Sequence, residues 1–357
     1  MANSDAPDNP FEDIPRPPDE AGQIDEIADL TEQLLDMRYP APARVLRGVH
    51  PKSHGCVSAF FEVRQDIAED LRVGLFAKPG KRYRAWIRFS NAAVRVEHDL
   101  KDGKHGSRGM AVKVLDVKGE VLLEDGGKRN QDFLMINQPA FAFANAEDYL
   151  RLTKTIRENN DDATRFFAPL KVEVPGVSDE QKARILRTFK LVQQLQSVPV
   201  ANPLEVRYFG AAPFLFGADR VMRFSAEPCD GEKPQVLPET PSEDYLREAL
   251  IETLQQKQDI CFDFKVQVRG KSEDLDIEDA STVWDEAETP YLDVAKITIP
   301  APQKNIDGPQ QVERCEALAF TPWHSLADHQ PLGSINRLRK AVYLASEAHR
   351  AAGGKDR

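Results

Sequence analysis

The sequence predicts an α+β fold in which antiparallel strands close into a barrel, with helices inserted between them and a further helix at the C-terminal end. Three observations carry this. Short runs of β-branched and aromatic residues recur between turn signals such as Lys78-Pro79-Gly80 and Asp102-Gly103. Segments with helical periodicity interrupt those runs. The glycine patterns of doubly wound nucleotide folds, G-x-G-x-x-G and the P-loop, are absent.

In chain order, residues 1 to about 20 are rich in Pro and acid, with too few apolar groups to order alone. Residues 21–37 have apolar positions at helical spacing and end before Tyr39-Pro40. Residues 1–40 therefore read as an arm with one helix, and 41–357 as the main domain. Strands are predicted at 57–63, 83–89, 109–114 and 120–123. Helices follow at 146–158 and 178–197, the second opened by Ser178 as N-cap with an acidic first turn. Strand patterns return at 219–226, 260–268 and 294–299, with a helix after Pro241-Ser242-Glu243-Asp244. Residues 300–333 read as a Pro-bearing connection.

The chain of 357 residues, 41% hydrophobic with 18 Phe, can fill a sizeable core. Its 47 basic and 58 acidic residues leave a net charge of −11, which argues against nucleic acid as a partner. The four cysteines, Cys56, Cys229, Cys261 and Cys315, are scattered without a C-x-x-C pair, so reduced thiols are expected. The N-terminus is polar and acidic, unlike a signal peptide, and no apolar run approaches the length of a membrane span. A soluble, cytoplasmic protein is expected. The amphipathic helix of the arm needs an apolar surface to cover, and a homodimer is the expected way to supply one.

Two stretches carry chemistry. The first is a helix at 333–350, with Ser334 as expected N-cap and Gly353-Gly354 as the stop. On it Arg339 and Tyr343 are four residues apart and share a face. A guanidinium beside a phenol favours the phenolate, a hard anionic oxygen suited to ferric iron. The second stretch is Arg47-Gly-Val-His50-Pro-Lys52-Ser-His54-Gly55, followed by Arg88-Phe89-Ser90 and Arg108-Gly109-Met110-Ala111-Val112-Lys113.

Together these segments resemble the haem-pocket signature of the catalase superfamily: R-x-x-H-x-K-x-x-G, then R-F-S, then R-G-x-A-V-K, and finally R-x-x-x-Y with an Arg seven residues after the Tyr. The resemblance covers about 41–350. A separate C-terminal helical domain, present in full-size catalases, has no counterpart, so the chain is most similar to the small catalase-like peroxidase branch. The resemblance implies a catalase-like antiparallel β-barrel around a buried haem b and its iron. It implies His50 as the distal histidine that moves a proton between peroxide oxygens, with Ser90 fixing its tautomer. Arg47, Arg88 and Arg350 are then the arginines of the haem propionates, Tyr343 the iron ligand and Arg339 its charge partner. Val49, Phe141 and Tyr149 fall where haem contacts are expected.

The sequence departs from the family at the distal amide. Anchored on Pro139, the first Asn of the family's N-N-T-P pattern becomes Ile136, and only Asn137 remains to serve after a one-residue shift. The second Phe becomes Ala142, and the usual Pro after the tyrosine is Leu344. The expected function is a haem-dependent peroxidase acting on hydrogen peroxide or organic hydroperoxides with a small organic electron donor, with weak catalase activity. Two alternatives stand beside it: a fatty-acid hydroperoxide isomerase or lyase of the allene-oxide-synthase-like type, and a haem-binding protein without turnover.

Overall fold

The computed structural model describes residues 11, 14–41, 43–256, 258–270 and 277–353. Most of the acidic, Pro-rich beginning and Gly354 of the expected helix stop lie outside these residues.

Alternation within each strand sorts the side chains into two faces. In β1 (Ser53–Val63), Val57, Ala59, Phe61 and Val63 are buried. They pair with β2 (Arg82–Asn91) so that Val57 faces Ile87 and Ala59 faces Ala85. The pattern continues through β3 (Arg108–Val114) and β4 (Gln131–Ile136), where Ile87, Val112 and Phe133 lie in one cross-strand row. After the short strands β5 (Tyr208–Phe209) and β6 (Phe214–Leu215) come β7 (Arg220–Pro228), β8 (Ile260–Gly270) and β9 (Leu292–Ile299).

All pairings are antiparallel, in the order β5-β4-β3-β2-β1-β9-β8-β7-β6. A further pairing, Tyr208 with Ala226 and Phe209 with Ser225, joins β5 to β7 and closes eight of the strands into a barrel. Closure removes the open edges, and aromatic rings fill the interior. Phe133 lies 4.6 Å from Phe264, 5.0 Å from Phe224 and 5.8 Å from Phe61, centroid to centroid.

Six helices surround this barrel among the described residues: α1 (Glu20–Arg38), α2 (Ala146–Glu158), α3 (Asp179–Ser197), α4 (Tyr245–Gln255), α5 (Pro309–Ala317) and α6 (Gly333–Ala352). Ser178 caps α3 in a reciprocal capping box with Gln181, as its sequence position predicts. Ser334 does not cap α6. Its hydroxyl instead accepts a hydrogen bond from the Ala146 N–H at 3.0 Å, tying the starts of α2 and α6 together. The helix of the arm, α1, covers its own chain: Ile27 is fully buried in a cluster with Leu150 of α2 and Leu338 and Val342 of α6. Its apolar face is therefore met without a second copy.

Two segments differ from the sequence reading. Residues 120–123 form only an isolated bridge, Val121 to Leu326, and the third strand in the wall is followed by Gln131–Ile136 instead. Asp132 disguises that strand, because its charge is buried against Lys113 at 2.9 Å. The expected connection at 300–333 contains α5, which starts at Pro309, a residue suited to the first helical position.

The cysteines correct a further expectation. Cys56 bonds to Cys315 and Cys229 to Cys261, with Cα separations of 5.7 and 5.6 Å, within the range disulfides span. The first pair is 259 residues apart in sequence and meets only because α5 packs against β1. Reduced thiols therefore no longer support a cytoplasmic location. Among the described residues no helix is long and apolar enough to cross a membrane.

Replacing Phe133 by Ala should destabilise the protein by about 3–5 kcal/mol, since neighbouring rings cannot collapse into the space. Val236, 81% exposed, should tolerate Ala within about 0.5 kcal/mol. Denaturant midpoints compare the two, and a loss below about 1 kcal/mol at Phe133 would place the core elsewhere.

Candidate functional site

The outer face of the barrel wall is built from residues that the core does not use. Two cross-strand rows form it: Ser90, Gly109 and Ile136, and beside them Arg88, Ala111 and Leu134. All six line one cavity, which α1, α2 and α6 close over with Leu34, Tyr149 and Tyr343. Its empty volume is about 1330 Å³, open mouth included.

His50 enters from the segment just before β1. Its φ of 59° is left-handed, a conformation His tolerates better than most side chains. Two contacts hold it there: its N–H donates to Ala93 O at 2.9 Å, and its carbonyl accepts from Arg88 Nη2 at 2.9 Å. The ring fits because position 109 is glycine. A Cβ there would come within 2.6 Å of His50 Nδ1 and Cε1 and within 2.9 Å of Ser90 Oγ.

His50 Nδ1 is 2.9 Å from Ser90 Oγ. When Nδ1 donates to the hydroxyl, Nε2 keeps its lone pair and serves as a base. Burial, followed by the charges of Arg88, Arg339 and Arg47, lowers the imidazole pKa to about 3. A neutral ring results across the physiological range.

Behind this group lies a polar network that the sequence reading missed. His54 Nε2 lies 2.9 Å from Asn91 Oδ1, Asn91 Nδ2 donates to Asp99 Oδ1 at 2.7 Å, and Lys52 pairs with the same carboxylate at 2.9 Å. It fixes the chain just after His50, at Lys52 and His54, and just after Ser90, at Asn91.

From α6, Tyr343 and Arg339 face the cavity. The Arg339 guanidinium lies 5.6 Å from the phenol centroid, and its hydrogen bond goes to Asn336 Oδ1 at 3.1 Å rather than to the phenol oxygen. Asn336 is itself fixed, donating to Pro213 O at 2.8 Å and Leu332 O at 3.0 Å. Leu344 leaves α6 unbroken.

Arg47, Arg88 and Arg350 also line the cavity. Burial, and next the charge of Arg47, lowers Arg88 to about 9 and Arg350 to about 10, and Arg47 is lowered by burial as well. Arg88 Nε is buried with no hydrogen-bond partner among the described residues. The three guanidiniums form a cradle that calls for anions.

Phe141 and Tyr149 complete an aromatic side. Each packs edge-on to Phe143, at 6.4 and 5.7 Å, and burial raises the Tyr149 phenol to about 12, so it stays neutral. Val49 lines the cavity beside His50.

Asn137 does not join the site. Strand β4 runs against β3 without a register shift, so Ile136 faces the cavity. Asn137 Oδ1 accepts instead from Arg108 N at 2.7 Å and Ser107 Oγ at 3.3 Å. Ala142 is also outside the lining, with its carbonyl accepting from Thr188 Oγ1 at 2.6 Å. The small side chain at 142 therefore does not widen the cavity.

Residues 38–170 match the family model of catalase. The solved structures similar to this chain include a fungal catalase at 19% identity, with a TM-score of 0.63 over 88% of this chain and 60% of that one. Catalase A from Saccharomyces cerevisiae is 18% identical, with a TM-score of 0.65 over 98% of this chain and 68% of its own. The fold is the catalase fold. A bacterial catalase agrees, at 16% identity and a TM-score of 0.65, covering 98% of this chain and 63% of its own. The chain thus spans roughly two thirds of the length of these catalases. No curated protein matches it.

The family match covers Arg47, His50, Arg88 and Ser90 but ends before α6. Within the catalase fold, α6 brings Arg339, Tyr343 and Arg350 to the same cavity. The structure adds two groups that sequence reasoning missed: Thr31 and Leu34 of α1 in the lining, and Glu316 of α5, 2.5 Å from Arg47. The adjacent Gly308-Pro309, a helix-start signal, was the available sign of α5.

The buried histidines give a pH signature. His50 is held at about 3, and His54 and His329 at about 4, each chiefly by burial. In the unfolded chain all three take protons near 6.5. Between those values the unfolded state binds more protons, so stability is full above about 6.5 and falls as pH drops toward 4. Denaturant midpoints should decline from pH 7 to 4.5, and His50→Gln should flatten part of that slope. An imidazole of His50 that titrates near 6.5 by NMR would contradict the burial of this ring.

Proposed function

We propose that the protein is a haem-dependent peroxidase of the catalase superfamily, reducing hydrogen peroxide or organic hydroperoxides with weak catalase activity. The observation that carries this is the convergence on one cavity of a serine-paired neutral imidazole, a phenol beside a guanidinium, and three further guanidiniums, of which those of Arg47 and Arg88 are buried and that of Arg350 half-buried. The fold and the matched family residues support it.

The donor set fits haem b. Tyr343 would hold the iron through its phenol oxygen, with the Arg339 cation 5.6 Å from its ring. Arg47, Arg88 and Arg350 offer the planar, multiply donating groups that carboxylates prefer, and the unpartnered Arg88 Nε is one such donor. Phe141 and Tyr149 supply apolar, aromatic surface. When bound, haem supplies the iron centre that takes up the oxidising equivalents of the peroxide.

The chain's own part is to place and protonate. His50 Nε2 would take the proton from one peroxide oxygen and hand it to the other, which leaves as water or an alcohol when the O–O bond breaks; two electrons from the organic donor and two protons then bring the remaining oxygen to water. Ser90 holds the tautomer that leaves Nε2 free for this. Ile136 presents an alkyl group in the same cross-strand row, so no side-chain amide at this position steadies a second hydrogen peroxide. With Val94, Leu134 and Leu152 it makes a lining that accepts the alkyl part of an organic hydroperoxide. That lining also favours, as a second reading, rearrangement of a fatty-acid hydroperoxide; product analysis separates a reduced alcohol from an isomer.

Tyr343→Phe should lose most haem, read from the Soret band. His50→Ala should keep haem but slow reaction with peroxide by about 10²–10⁴. Full haem with an unchanged spectrum in the first variant, or wild-type rates in the second, would remove these assignments. Ile136→Asn should raise oxygen evolution relative to donor oxidation, and an unchanged ratio would take Ile136 out of the account.

A further inference from the structure

The guanidinium cradle already contains a carboxylate. Glu316, near the end of α5, has a side chain only 11% exposed, with Oε2 at 2.5 Å from Arg47 Nη1 and Oε1 at 3.6 Å from Arg88 Nη2. Arg47 Nη2 is committed elsewhere, to Leu318 O at 2.7 Å and Cys315 O at 3.2 Å. Arg350 Nη1 donates to the Glu316 carbonyl at 3.2 Å. The three arginines thus bind the last turn of α5, where carbonyls lack helical partners.

Glu316 cannot readily leave. The preceding residue, Cys315, is bonded to Cys56 of β1, and Gln311 Nε2 donates to Cys56 O at 3.0 Å. The helix is therefore fastened to the barrel wall beside the cradle. A carboxylate ligand that engages Arg47 and Arg88 meets a fixed negative charge sharing the same guanidiniums.

We propose that Glu316 is a resident counter-ion that competes with the carboxylates of an incoming cofactor for Arg47 and Arg88, and so sets how tightly the site holds it. This rests on the haem reading above. Without a ligand, Glu316 offsets part of the mutual repulsion of the buried Arg47 and Arg88 and the half-buried Arg350. With one, the same charge repels the ligand's carboxylates.

The test titrates the full-length apo-protein with haem and with haem dimethyl ester, following the Soret band. Glu316→Gln should tighten haem at least about tenfold and leave the diester unchanged, because the diester has no carboxylate to repel. Glu313→Gln, on the same helix but paired with Arg44 at the surface, should change neither. Glu316→Asp, which draws the charge back by one methylene, should also tighten haem, by a smaller factor, and serves if the Gln variant does not fold. Unchanged or weaker haem binding in the Glu316 variants would overturn the proposal and make Glu316 a support for the arginines. Equal tightening of the diester would also overturn it. Wild-type protein that takes up the diester but not haem would refute the cradle, while uptake of neither would refute the haem reading and this proposal with it.

Discussion

Everything at the site depends on the register between β2, β3 and β4. Because side chains alternate along a strand, a single pairing places Ile87, Val112 and Phe133 in the barrel core and Ser90, Gly109 and Ile136 on the cavity wall. A slip of one residue would exchange the two sets. The closed barrel and its interlocked rings make such a slip costly, so the rigid core is what positions the His50–Ser90 pair. Glycine at 109 then supplies the missing volume into which the imidazole turns.

Charge is the second organising term. The cavity is lined by Arg47, Arg88, Arg339 and Arg350, with Glu316 packed against two of them. Burial makes each cation expensive, which explains both the internal carboxylate and the affinity for anions attributed to the site. The same positive field, added to burial, keeps His50 neutral and available as a base. The imidazole's role and the arginines' role are thus parts of one electrostatic arrangement.

Much of this was legible in the sequence, for physical reasons. Helices α2 and α3 and strands β1, β2, β3, β8 and β9 carry strong local periodicity, and caps such as Ser178 mark their ends. The site residues from Arg47 to Arg350 sit in short motifs whose spacing is local, and all but Asn137 line the cavity. What was hidden is what long-range packing decides. Asp132 makes β4 look polar until Lys113 is seen beside it. The bond from Cys56 to Cys315 requires that α5 meet β1. Asn137 faced a question of strand parity, which only the observed pairing of Gly109 with Ile136 answers. Ser334, a good cap by residue type, is instead used as a tertiary acceptor between two helices.

The central claim is that α6 and the barrel wall together form a haem site with a tyrosine oxygen on the iron. Resonance Raman spectroscopy of the haem-loaded protein, prepared with ordinary and with ring-deuterated tyrosine, tests it most directly. The account predicts phenolate vibrations enhanced by excitation into the iron–phenolate band and shifted by the label. Haem bound without label-sensitive phenolate modes, or with the spectrum of a histidine- or thiolate-ligated iron, would contradict it.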